Sequence, residues 1–248
     1  MERVLVICNP FAGGGTSIHK FENFKKFAAN SAHEFEFYLT QHPGDYGGIA
    51  QAIAVFNPTV VSMVGGDGTV NEVLNVPEVH QRKVHIVPAG SGNDFQRLVY
   101  GNIDEQTVYE KSVSKTTASY DLGVCNGRFF LNGVGIGFDG SVARQTVRMK
   151  LPFIASSWKY WIAIFKNVLF YKSKPITIIA EDLELTDRLF MVAVANGTDY
   201  GGGFKISPWS KADDGVFDLV LLHKMHPLKR LLKIPQVKAG KHGEADFT

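Results

Sequence analysis

The chain has 248 residues, 45% hydrophobic and 20% charged, with a net charge of +2. Those values suit an ordinary globular protein and imply no nucleic-acid partner, which would call for a strongly basic surface. Its two cysteines, Cys8 and Cys125, lack CxxC spacing, so buried free thiols in a reducing compartment are expected rather than a disulfide framework.

At the N-terminus, MERVLVICNP has a short apolar run and no small-residue cleavage site after it, so no signal peptide is expected. RVLVIC (3–8) reads as a buried strand, and NPFAGGGT breaks it. Ile18, Phe21, Phe24 and Phe27 then recur at helical spacing. EFEFYLT (34–40) alternates like a strand, QHPGDYGG is a loop and IAQAIAVF a short helix. TVVSMV (59–64) is a strand that runs into GGDGT and a helix beginning VNEVLN. KVHIVPAG (83–90) is a strand leading to SGNDFQRLVY, a helix that Asn93 or Asp94 would cap. Strand and helix alternate to about residue 115, which predicts a parallel, doubly wound α/β sheet with ligands at the carboxyl ends of its strands.

The texture changes near residue 118. ASYDLGVCN, RFFLNGVGIGF, PITIIAED, RLFMVAVANG and GVFDLVLLHK are strand-like runs separated by Gly, Asn and Asp. They predict a mostly antiparallel second domain with one helical insertion at about 150–172. The expected division is 1–118 and 119–248, with the boundary near Ser119. No apolar stretch reaches the roughly 18 residues of a membrane span.

Four glycine-rich elements carry the chemistry. In GGDGT (65–69), backbone N–H groups without shielding side chains can face phosphate oxygens at a helix N-terminus. Asp67 would repel such a phosphate unless a metal or a ribose hydroxyl lay between, and Asn71 and Glu72 sit within reach; the alternative is a tight turn capped by Asp67. NPFAGGG (9–15) again places glycines between a strand and a helix, either as a phosphate loop or as a plain turn. In PAGSGNDF (88–95), Ser91 and the flanking glycines can contact a nucleotide. In residues 201–222, Asp213 and Asp214 precede Gly215, which fits either a hard-cation site or an Asp-Gly turn.

The order NP-x-AGGG, Thr40, GGDGTVNEV, P-x-GSGNDF and GGGFKISP…DDG resembles the diacylglycerol kinase catalytic-domain family, which includes bacterial lipid kinases and sphingosine kinases. The resemblance runs from about residue 3 to about residue 242. GGDGT alone is shared with NAD kinases and phosphofructokinases, whereas the combination is far more specific. The resemblance implies an N-terminal α/β domain similar to that of NAD kinases, carrying ATP, and a C-terminal β-sandwich. Matched residue by residue, it implies nucleotide contacts at Asn9, Thr40, Gly65, Gly66, Asp67, Gly68, Thr69, Val70, Asn71 and Ser91. It also implies a structural Mg²⁺ site at the Asp214 carboxylate and the carbonyls of Lys211 and Val216. Asp67 would be the catalytic carboxylate that positions the magnesium of ATP.

The family's Asp-Gly-Glu element, whose carboxylate deprotonates the lipid hydroxyl, has no match. The sequence ends at KAGKHGEADFT, and Gly243-Glu244 follows GKH too directly to serve. A C-terminally shortened member is expected, with no general base identified and the second domain incomplete. The stretch SWKYWIAIFKNVLFYKSK (157–174) spaces Trp158, Trp161, Phe165 and Val168 like one helix face, for a membrane interface or for packing on the sheet. Residues 224–242 hold six Lys/Arg and no acid, which suits either anionic lipid or solvent. His223 and His226 lack a partner ligand for zinc.

The resulting expectation is an ATP-dependent lipid kinase that transfers the γ-phosphoryl group to a hydroxyl of diacylglycerol or a related lipid. It would be cytoplasmic, with peripheral contact at the inner face of the membrane and a homodimer left open. A NAD kinase-like enzyme and a nucleotide-binding protein without turnover are the alternatives.

Overall fold

The computed structural model describes residues 1–149, 156–180 and 183–242. By its internal contacts the chain divides into two compact units, Met1–Leu131 and Asn132–Thr248.

The first unit runs β1 (Arg3–Cys8), α1 (Thr16–Ala29), β2 (Glu34–Leu39), α2 (Tyr46–Phe56), β3 (Val60–Gly65), α3 (Asp67–Leu74), β4 (Lys83–Pro88), α4 (Asp94–Tyr100), α5 (Glu105–Lys111), then β5 (Gly123–Cys125) and β6 (Arg128–Phe130). Strands β1 to β4 form one parallel sheet in the order β2-β1-β3-β4. Both faces are covered, which is why β1 and β3 are apolar along most of their length instead of alternating. Val4, Val6 and Cys8 share a core with Phe21 and Phe24 of α1 and with Val108 and Tyr109 of α5. Leu5 and Ile7 point the other way, as strand geometry requires, and α2 and α3 lie against that side of β1 and β3. The sheet is therefore doubly wound, as predicted. Edge strand β2 keeps the alternating exposure of its sequence.

A polar link crosses this core. Ser62 Oγ donates to His85 Nδ1 at 2.7 Å, and His85 Nε2 donates to the Val108 carbonyl at 2.8 Å. Burial pushes His85 down to about 4, so the ring stays neutral at physiological pH.

The unit boundary lies past the change of texture near Ser119. β5 and β6 form an Asn126-Gly127 hairpin, both turn residues having positive φ. That hairpin is bound to α3: Asn75 Oδ1 accepts from Phe129 N at 2.9 Å, while Asn75 Nδ2 and Asn71 Nδ2 donate to Phe129 O at 3.0 and 3.1 Å.

The second unit comprises β7 (Gly133–Gly137), α6 (Phe138–Arg148), α7 (Ser156–Phe170), β8 (Lys174–Ala180), β9 (Leu183–Ala195), β10 (Asp218–His223) and α8 (Pro227–Lys238). Its sheet is antiparallel, ordered β10-β9-β7, and β8 pairs with the first half of β9. Among the described residues the layer against its buried face is helical. Val142 of α6 and Ala163, Ile164 and Val168 of α7 pack on Phe190, Met191, Ala193 and Val220.

Helix α7 is the expected insertion, but its predicted face is divided. Val168 is buried, while Trp158 and Phe165 point outward with Ile162 and Leu169. The helix is apolar on two sides, so one stripe fills the core and another remains at the surface. Among the described residues no helix is long and apolar enough to cross a membrane.

Candidate active site

Register brings three loops to one edge of the first unit's sheet. Cys8 pairs with Val64, Val64 with Val87, and Gly65 with Pro88, so β1, β3 and β4 end level. Loops 9–15, 65–67 and 89–93 leave from that edge, where a doubly wound sheet holds its ligand.

Two of the loops touch through bare backbone. A Cβ on Gly66 would lie 2.9 Å from Gly90 Cα, and one on Gly90 would lie 2.4 Å from Gly66 Cα. A Cβ on Gly13, whose φ is +59°, would fall 2.1 Å from the Ala89 carbonyl oxygen. These glycines are required by loop-on-loop packing, whatever else occupies the site. Gly68 differs, since nothing lies within 4 Å of a Cβ built there. Its missing side chain leaves open space over the first turn of α3.

Asp67 begins α3 and reaches across to α4. Its Oδ1 accepts from Phe95 N at 3.3 Å. With the Gln96 amide turned so that its nitrogen faces the carboxylate, Gln96 donates to the same oxygen at 3.1 Å. Asp67 thus supplies the acceptor that the start of α4 needs. The expected cap is corrected: Asn93 adopts the left-handed conformation and folds back on its own loop, accepting from Gly90 N at 2.8 Å and donating to Gly90 O at 2.9 Å. Asp94 is buried and paired with Arg97. Burial first, and Asp94 second, push the Asp67 carboxyl above its usual range.

The loops enclose an open cradle of about 370 Å³. Of the residues singled out in the sequence, Asn9, Gly66, Asp67, Gly68, Thr69 and Ser91 line it. Asn9 Nδ2 donates to Thr69 Oγ1 at 3.1 Å, joining the first loop to α3, and Ser91 stands exposed at the rim. Four other positions are not in the lining. Gly65 ends β3 beneath Thr69. Val70 has its side chain in the core, at 2% exposure. Asn71 is engaged by the β5–β6 hairpin. Thr40 follows β2, with its N–H on the Cys8 carbonyl at 3.0 Å. Glu72, one helical turn beyond Gly68, does line the cradle.

No basic side chain is among the lining residues described. The cradle offers main-chain N–H groups, the positive end of α3, two carboxylates and the Asn9, Thr69 and Ser91 side chains. Backbone amides suit phosphate oxygens, and Asp67 and Glu72 supply the hard oxygen donors that magnesium takes.

In the second unit, Asp214 occupies an exposed turn and its Oδ1 accepts from Val216 N at 3.1 Å. That bond, with Gly215 at φ +76°, is what an Asp-Gly turn makes by itself. Among the described residues no cluster of three or more His, Cys, Asp or Glu side chains could hold a metal. A cation there would depend on Asp214 and the Lys211 and Val216 carbonyls. Gly243 and Glu244 lie outside the described residues.

Comparison with known proteins finds a match for each unit. Residues 3–125 match the model of the diacylglycerol kinase catalytic domain, and residues 132–247 that of the YegS C-terminal NAD kinase beta sandwich-like domain. A Bacillus subtilis (strain 168) protein named "Putative lipid kinase YtlR" is 28% identical over 99% of this chain and 85% of its own length. A protein of the same organism named "Diacylglycerol kinase" is 25% identical over 98% and 80%. The fold is similar to that in the crystal structure of a "putative diacylglycerol kinase" from Bacillus anthracis str. Sterne, with a TM-score of 0.73 at 24% identity, covering 95% of this chain and 79% of that one. Matched along nearly its whole length by these two domain models in succession, the chain belongs to the diacylglycerol kinase catalytic-domain family.

Proposed function

We propose that the protein is an ATP-dependent lipid kinase that transfers the γ-phosphoryl group to a hydroxyl of diacylglycerol or a related lipid. The observation that carries this reading is the cradle itself. Three loops at the carboxyl edge of a parallel sheet present bare main chain around Asp67, in a chain of a lipid-kinase family.

Phosphoryl transfer asks chiefly for placement and for neutralisation of charge. In this reading, main-chain N–H groups around Gly66, Gly68 and Gly90 hold phosphate oxygens, and the Asn9, Thr69 and Ser91 side chains fix their orientation. Magnesium, held by Asp67 and Glu72, would offset the polyphosphate charge that no lysine or arginine of the lining meets. The Asp214 turn with the Lys211 and Val216 carbonyls is proposed as a separate structural site for the same ion.

The lipid would be met at the inner face of a membrane. α7 presents Trp158, Ile162, Phe165 and Leu169 outward beside Lys159 and Lys166, and α8 exposes Leu228 and Leu232 with Lys229 and Lys233 next to them. An apolar stripe with lysines at its margin suits an anionic bilayer surface.

The test is γ-labelled ATP with magnesium, presented with diacylglycerol in mixed micelles and, separately, with NAD. Labelled lipid is the expected product. Labelled NAD in its place, or ATP binding without any transfer, would overturn the assignment.

A further inference from the structure

Helix α3 has eight residues, and both of its ends are tied to distant parts of the chain. At its start Asp67 accepts from Phe95 N of α4 at 3.3 Å. At its end Asn75 caps the helix, and its side-chain amide is fully used. Nδ2 donates to the Asn71 carbonyl one turn back at 2.8 Å and to the Phe129 carbonyl at 3.0 Å, while Oδ1 accepts from Phe129 N at 2.9 Å. An amide carries two N–H donors and one carbonyl oxygen, so no donor is left over.

Phe129 is placed to receive that amide. In the β5–β6 hairpin the Asn126-Gly127 turn is closed by Cys125 and Arg128, and Phe129 stands opposite Val124. Pairs alternate along an antiparallel ladder, so after a two-residue turn Phe129 takes a position whose N–H and C=O face outward. The Asn75 amide meets both, as the peptide of a third strand would. Asn71 Nδ2 adds a second donor to the same carbonyl at 3.1 Å. The Phe129 ring packs edge-on against His80, with centroids 4.5 Å apart, and His80 Nε2 donates to the Leu74 carbonyl at 2.7 Å. Arg128 Nη2 donates to Tyr46 Oη at 2.8 Å, at the start of α2. The hairpin is therefore a strap from α2 to the C-terminal end of α3.

The strap matters to the cradle because α3 is short. At 1.5 Å per residue Asn75 lies about 12 Å from Asp67, and Glu72 is within one turn of it. A helix of this length is marginal by itself, so what holds its ends sets its orientation. Asp67 and Glu72 carry like charges into one space, with no cation among the described lining residues to hold them in place.

We propose that Asn75 is a positioning residue for phosphoryl transfer: through the hairpin it fixes α3, and with it the Asp67 and Glu72 carboxylates that would hold magnesium against the polyphosphate. Asn75 itself is outside the described lining of the cradle. Misplacing a reacting group by about 1 Å costs up to about a hundredfold in rate. The inference deepens the lipid-kinase reading and rests on it for the reaction, while the effect on the cradle is read separately by binding.

Asn75→Ala, Asn75→Asp and Asn75→Gln in the full chain test it. Calorimetry with ATP is run with magnesium and again with EDTA, and phosphate transfer to diacylglycerol is read alongside. In Asn75→Ala the magnesium–ATP complex should bind about tenfold more weakly, whereas free ATP, which gains nothing from the two carboxylates, should change by less than about twofold. The kcat should fall by at least about tenfold, with the KM for diacylglycerol within about twofold of the parent. Asn75→Gln carries the same amide and should recover kcat to within about threefold of the parent. If Asn75→Ala does not fold, Asn75→Asp, which keeps the bond from Phe129 N–H, carries the test with about a threefold loss of magnesium–ATP affinity. A purely structural contact would lower the melting temperature and leave the ratio of the two ATP affinities at the parent value, and that result overturns the inference. So does a variant with the parent's kcat, which keeps the kinase reading. A parent that binds magnesium–ATP but transfers no phosphate removes the kinase reading, and the affinity ratio in Asn75→Ala still decides whether Asn75 sets the cradle. A parent that binds ATP in neither form overturns both.

Discussion

The cradle of the first unit and the cavity of the second solve opposite problems. The cradle is open, built of main chain, and carries two carboxylates with no cation in its described lining. The second unit's cavity, about 340 Å³ between its helical layer and its sheet, is walled by side chains, many of them apolar; it holds one carboxyl, Asp139, which accepts from Tyr200, and has Arg230 and Lys233 in its lining. Main-chain donors suit a ligand rich in oxygen and charge, whereas aliphatic walls suit one that has neither. The same contrast governs where glycine matters. In the cradle it lets loops meet, and in β7 it makes space for an acid.

The strongest way to break the comparison is Asp67→Ala. If the carboxylate organises the cradle, phosphoryl transfer should fall by about a thousandfold or more, corresponding to roughly 4 kcal/mol of barrier. Loss of the α4 cap should cost only about 1 kcal/mol of stability, read by denaturant unfolding. Retained turnover would show that main chain alone suffices.

Acid pits the two units against each other. His85 titrates lower folded than unfolded, so below about pH 6.5 the unfolded chain binds more protons and the first unit loses stability down to about pH 4. Asp139 titrates higher folded, so its contribution is full at low pH and is lost as pH rises from about 4 to about 6. Each amounts to about 3 kcal/mol at the extreme. Hydrogen exchange at pH 5 against pH 7 should therefore show β3 and β4 less protected and β7 and α6 relatively more so. His85→Gln should flatten the first trend, and Asp139→Asn the second.

Two glycine substitutions sharpen the account of the cradle. Gly13→Ala should destabilise by about 2 kcal/mol, since the residue has positive φ and its Cβ would strike the Ala89 carbonyl. Gly68→Ala meets no protein atom and should stabilise α3 by about 0.5–1 kcal/mol. If phosphate approaches there, the same variant should bind ATP more weakly, by about tenfold. A rise in melting temperature with a fall in ATP affinity is the expected signature, and unchanged affinity would place the nucleotide elsewhere.

The sheet of the first unit was legible because doubly covered strands are continuous apolar runs, as in RVLVIC and TVVSMV, and because glycine loops mark their carboxyl ends. The partners of those loops were not legible. That Gly66 abuts Gly90, that Asp67 caps α4 and that Asn71 serves a hairpin are contacts between residues 24 or more positions apart, which local patterns do not encode. Helix α8 was hidden by Pro235, which argues against a helix at just that point. Helix α6 was masked by the glycines and the aspartate that precede and open it. The outward stripe of α7 was misassigned by one face, since a helix apolar on two sides gives no phase to read.

The bond from Phe95 N–H to Asp67 gives the molecule a spectroscopic handle. An amide proton held by a carboxylate shifts with that carboxylate's charge and occupancy, so the Phe95 resonance should move whenever an ion, a proton or a substitution changes Asp67. One nitrogen-15 label on phenylalanine would let filling of the cradle be followed by eye, titration point by titration point, without any turnover at all.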